Sequence, residues 1–164
     1  MEQKYIYSFS QIEDKVKALH ETNTEAAAAV ALSWLGLSRD ELKTLRVSDY
    51  NSTMRMLHSA GRVVYVREDL IADMLKAICE EAPEYSMGFF ITDVNSAYEA
   101  AEKQELSPIS VLKMRYFYEK HSAKLSGEPE DREFLKEILR SVGESEADME
   151  KQFAEYEKDA PEKI

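Results

Sequence analysis

The feature that most constrains the fold is a change in the spacing of apolar residues, which occurs in a short segment between two helical regions. Up to Leu45 the apolar residues recur at helical spacing. Two short β-prone runs follow, Met54 to Leu57 and Arg62 to Val66, and they flank a glycine-containing loop typical of a hairpin. Helical spacing returns at Asp69 and dominates the rest of the chain. The pattern predicts an α+β fold that is mainly helical, with a small antiparallel sheet.

Local signals predict further boundaries of these elements. Residues 88–91 (Gly-Phe-Phe-Ile) are a candidate third strand, which would give a three-stranded sheet. The pairs Thr22/Glu25 and Ser38/Glu41 have the spacing of capping boxes, so we expect a helix to begin after Thr22 and another after Ser38. Further start and stop signals are Asp93, Ser107-Pro108, the breaker Ser126 to Pro129, Gly143 and Ser145.

Length and composition favour a single globular domain over residues 1–164. No N-terminal stretch has the order of a signal peptide, and the longest apolar run, Ala26 to Leu35, is far short of the roughly 20 residues of a membrane span. The one cysteine, Cys79, excludes an internal disulfide framework and is expected to be a buried thiol. We therefore expect a cytoplasmic protein without a membrane partner.

The net charge of −11 bears on nucleic-acid binding, because most of that affinity comes from lysine and arginine side chains that neutralise phosphates. Residues 111–127 are the one segment with a clear positive excess, with four cations against Glu119. This segment predicts either a small basic pocket or a solvated helix face.

Motifs for cofactor or metal chemistry are missing from the sequence. There is no glycine-rich phosphate loop, no CxxC motif and no histidine pair at metal-ligand spacing. His20, His58 and His121 are expected to be surface residues, and neither a cofactor nor a metal is expected.

Residues 36–50 resemble the first arginine box of the tyrosine recombinase (phage integrase) family, in which Gly-Leu-Arg precedes Glu-Leu, Leu and Asp. The elements predicted after it follow the family's order. Residues 109–118 (ISVLKMRYFY) resemble the His-x-x-Arg box, residues 142–145 resemble the Gly-His turn, and residues 149–156 fall where the helix of the nucleophilic tyrosine would be. The resemblance implies a recombinase-like core over about residues 22–156 and leaves residues 157–164 as a polar tail, without the family's N-terminal core-binding domain.

The resemblance implies a site in which a tyrosine attacks DNA phosphate, two arginines stabilise the developing charge, and a histidine and a lysine transfer protons. Of these positions only the second arginine is matched, by Arg115. The hairpin carries no lysine, and the other family positions hold Ser38, Leu112, Glu144 and Phe153. Ser38 suits an N-cap, Leu112 and Phe153 suit packing, and Glu144 places negative charge where phosphate would bind.

The resemblance leads to three alternative hypotheses about function. The first is a catalytically inactive recombinase-like protein that binds DNA weakly or regulates a mobile element. Its expected DNA contacts are Arg115, Lys113, Arg62, Arg55 and Lys120. The second is a recombinase-derived fold reused to bind another protein or a second copy of itself, which agrees with the net charge and the aromatic cluster at residues 116–118. Arg115 would then be a structural ion-pair partner. The third is an active recombinase for DNA integration in which Tyr156, one turn beyond Phe153, serves as a displaced nucleophile.

Overall fold

The structure is a computed structural model that describes residues 9–59, 61–81, 88–126 and 132–159. Most of these residues are helical, and they include one three-stranded antiparallel sheet, which confirms the predicted fold class. The helices are α1 (Phe9–Thr22), α2 (Thr24–Trp34), α3 (Arg39–Thr44), α4 (Asp69–Glu81), α5 (Val94–Lys103), α6 (Pro108–Ser126), α7 (Arg132–Val142) and α8 (Glu146–Asp159). The strands are β1 (Tyr50–Asn51), β2 (Met56–Ser59) and β3 (Arg62–Tyr65), and a 3-10 turn covers Val47–Asp49.

Helix α2 is the centre of the core. Every residue from Ala26 to Trp34 is buried, and the helix contacts α1, α5 and α6. Four consecutive alanines let the neighbouring helices approach closely, and alanine also favours the helical conformation. The predicted cap at Thr22 is wrong, because α1 extends through Thr22 and Asn23 caps α2 by accepting a hydrogen bond from Ala26 N. A short amide side chain is as good a cap as a hydroxyl.

The predicted capping box at the start of α3 is confirmed. Ser38 Oγ accepts a hydrogen bond from Glu41 N at 3.2 Å, and Ser38 N donates to Glu41 Oε1 at 3.1 Å. The turn before it needs Gly36, whose φ is +94° and whose α-carbon faces the ring of Phe134. Side chains rarely adopt that conformation, so glycine is required there.

The sheet has the order β1-β2-β3, and β2 and β3 form the predicted hairpin. The predicted third strand at residues 88–91 is wrong, because the third strand is Tyr50–Asn51, which pairs with Leu57 and Met56. Phe89 makes only an isolated bridge to Arg46, through hydrogen bonds of Gly88 O and Phe90 N. This bridge holds the Phe89 segment against the chain that follows α3, but a single bridge does not extend the sheet.

The remaining helix boundaries largely follow the predicted signals. Asp93 caps α5, Ser107 precedes Pro108 at the start of α6, Gly143 follows α7 with φ of +72°, and Ser145 Oγ accepts from Asp148 N at the start of α8. Helix α6 ends at Ser126, the first residue of the predicted breaker, and the rest of that segment, residues 127–129, lies outside the described residues. Helix α8 continues to Asp159, so part of the predicted tail is helical, whereas residues 160–164 lie outside the described range.

Among the described helices, none has both the length and the apolar character that crossing a bilayer requires.

Candidate functional site

Arg115, which the sequence comparison above likened to a family arginine, lies on α6 and is largely covered, with 13% of its side chain exposed. Its Nη1 is 3.2 Å from Glu68 Oε1, and its Nη2 is 3.3 Å from Glu119 Oε2. The guanidinium also stands over the rings of Trp34 and Phe134, each with its centroid at 5.2 Å. The ring of Tyr118 lies at 6.0 Å, so Arg115 contacts two carboxylates and three aromatic rings at once.

Glu68 has a second hydrogen-bond partner besides Arg115. Its Oε1 also accepts a hydrogen bond from Trp34 Nε1 at 3.1 Å, so it joins α6 to the end of α2. Glu68 lies between β3 and α4 and was not singled out by sequence. A phosphate that approached Arg115 would have to compete with Glu68 and Glu119, and their charges repel it.

Arg62, at the start of β3, is also bound within the protein. Its Nη2 donates to both carboxylate oxygens of Glu41, at 2.9 and 3.0 Å, and to Gly36 O at 3.0 Å. Ser59 Oγ donates to Glu41 Oε2 at 2.8 Å. Burial acts to raise the pKa of Glu41, but hydrogen bonds from Arg62, Ser38 and Ser59 outweigh it and hold the pKa below its usual value.

Lys113 and Lys120, also on α6, both reach the C-terminal part of the chain. Lys113 Nζ donates to Glu144 Oε1 at 2.8 Å and to Gln152 Oε1 at 3.3 Å. Burial acts to raise the pKa of Glu144, but these hydrogen bonds, first that of Lys113, leave its pKa lowered. Glu144, whose charge was predicted to repel phosphate, therefore binds Lys113 at the turn before α8.

Lys120 is the most deeply buried of the candidate cations, with 9% of its side chain exposed. Its Nζ lies 2.6 Å from Glu146 Oε1 and 2.7 Å from Glu150 Oε1, both on α8. Burial alone would lower the pKa of Lys120, but the two carboxylates raise it well above its usual value. Lys120 is therefore charged and paired inside the fold.

Arg55 is the most exposed of the five candidate DNA contacts. Its Nη1 lies 2.8 Å from Asp69 Oδ1, and 41% of its side chain is exposed. It belongs to the β1–β2 connection. Each of the five predicted cations thus has a carboxylate within salt-bridge distance.

Ser38, Leu112 and Phe153, the residues predicted to replace catalytic groups, have local structural roles. Ser38 is the N-cap of α3, and Leu112 is buried with 2% exposure. Phe153 is buried on α8 and packs on Phe117 with ring centroids 5.2 Å apart. Tyr156 lies one turn further along α8, and its side chain is outside the described part of the structure.

The structure brings Arg62 and Arg115 to one open groove of about 280 Å³, which we call the β3–α7 groove. Arg67 lines it as well, so three guanidinium groups share this space with Glu119 and with Glu133 and Glu137 of α7. Its other lining residues are Leu35, Val63, Val64, Tyr65 and Phe134. Lys113, Lys120 and Arg55 do not line this groove.

No protein-family model matches this sequence, and no curated protein matches it. Among solved structures, the crystal structure of XerA recombinase is similar, with a TM-score of 0.57 and 14% sequence identity. The likeness covers 96% of this chain, and this chain spans 65% of that protein. At this identity the similarity shows a likeness of fold and does not assign a function.

Proposed function

We propose that this protein is a catalytically inactive recombinase-fold protein that acts by binding another protein and not DNA. The observation that carries this proposal is the internal pairing of all five cations that the resemblance would direct to phosphate. Their carboxylate partners lie between 2.6 and 3.3 Å away. Phosphate contact would require breaking these pairs, several of them largely buried, before any counterion release could favour binding.

The net charge supports the same proposal. At −11 the chain repels the DNA backbone at long range, and the carboxylates near the candidate cations repel it at short range. In recombinases of the resembled family, phosphate is held by preorganised donors that remain open to it. The surviving arginine here has its Nη atoms on Glu68 and Glu119.

Catalytic inactivity is supported by the positions of the replaced residues. Where the resembled family has its tyrosine nucleophile, this chain has the buried ring of Phe153. Where the family has a histidine that transfers protons, this chain has the buried side chain of Leu112. Loss of the nucleophile removes the covalent step, and loss of one charge-stabilising donor costs about 10²–10³ in rate.

The direct test of the DNA part is fluorescence anisotropy of a labelled duplex titrated with protein at several salt concentrations. We expect no binding at low salt, or weak binding without a salt slope, because no phosphate is neutralised. A slope of about −0.9 per neutralised phosphate, over several phosphates, would overturn the proposal.

A regulatory DNA-binding function for a mobile element is the second candidate. The observation that favours it is the convergence of Arg62, Arg67 and Arg115 on the β3–α7 groove. In that case Arg67→Gln would reduce both the affinity for the duplex and the salt slope, whereas Lys76→Gln on α4 would leave both unchanged. Under our proposal neither variant changes the anisotropy.

Catalysis is tested on a suicide DNA substrate that traps the covalent intermediate. We expect no protein–DNA adduct from the wild-type protein, because the family's tyrosine position holds Phe153. An adduct that forms with the wild type and disappears in Tyr156→Phe would identify a displaced nucleophile and contradict the inactive assignment.

A further inference from the structure

We draw no further inference here: the strongest candidate, the exposed edge of strand β3 beside the β3–α7 groove, carries nothing because the groove is lined by as many arginines as glutamates and nothing in the described part of the structure shows what covers that edge.

Discussion

Glu41 connects three elements through a single carboxylate. It caps α3 by accepting from Ser38 N, it accepts from Ser59 Oγ of β2, and it binds Arg62 of β3. The hairpin is thereby fixed to the start of α3. A residue recognised from sequence as a helix cap is also the acid that pairs with a candidate DNA contact.

The pH dependence of the unfolding free energy should reveal the contribution of the ionised Glu41 carboxylate. Because the pKa of Glu41 is lowered in the folded protein, its stabilising contribution is present above about 4.5, the usual value, and is lost as the pH falls through the folded value. We expect Glu41→Gln to lower the unfolding free energy by about 1–2 kcal/mol near neutral pH. That difference from the wild type should shrink below about pH 4.5, measured by urea denaturation across the pH range.

Glu102→Gln on the exposed face of α5 is the control, and it should stay within about 0.5 kcal/mol of the wild type at neutral pH. A Glu41→Gln deficit that is the same in acid and at neutral pH would mean that the ionised carboxylate contributes nothing.

At the scale of elements, local sequence signals predicted where most helices begin and end, because caps depend on residues three or four positions apart. The caps at Ser38, Asp93 and Ser145 act within one turn and were correctly predicted. Strand β1 was missed because two residues are too short to show an alternating pattern. Residues 88–91 were mistaken for a strand because an apolar run does not reveal how many backbone partners it will have.

The candidate site was less predictable than the elements, for a physical reason. Its contacts join Arg115 to Glu68 across 47 positions and Arg62 to Glu41 across 21 positions, and no local pattern encodes such pairs. The sequence could show that Arg115 was the one matched position and that acids were plentiful. It could not show which acid each cation would bind.

Gly36 gives a prediction at the scale of the α2–α3 turn. An added Cβ would lie 2.5 Å from a ring carbon of Phe134 and would also strain a φ of +94°. We expect Gly36→Ala to destabilise the protein by about 2–3 kcal/mol in denaturant unfolding. Gly61→Ala is the matched control, since Gly61 has φ of +77° and no atom near its added Cβ, so it should cost only about 1 kcal/mol. Equal costs for the two would show that the contact with Phe134 is unimportant.

At the scale of the whole molecule, the cations of α6 act as connections between layers. Arg115 joins α6 to the segment between β3 and α4, whereas Lys113 and Lys120 join it to α8 and the turn before it. Removing any of these cations leaves carboxylates without their partners, which is costly where the pair is covered. Of the four cations in residues 111–127, the three whose side chains are described, Lys113, Arg115 and Lys120, are each paired with a carboxylate.

A double-mutant cycle on Arg115 and Glu68 tests most directly whether Arg115 serves the fold. The variants are Arg115→Met, Glu68→Gln and the double substitution, each measured by urea unfolding of the full chain. We predict a coupling free energy of about 2 kcal/mol, because each single change leaves the other polar group covered and unpaired. A coupling within about 0.5 kcal/mol of zero, together with salt-dependent DNA binding that Arg115→Met abolishes, would contradict this account.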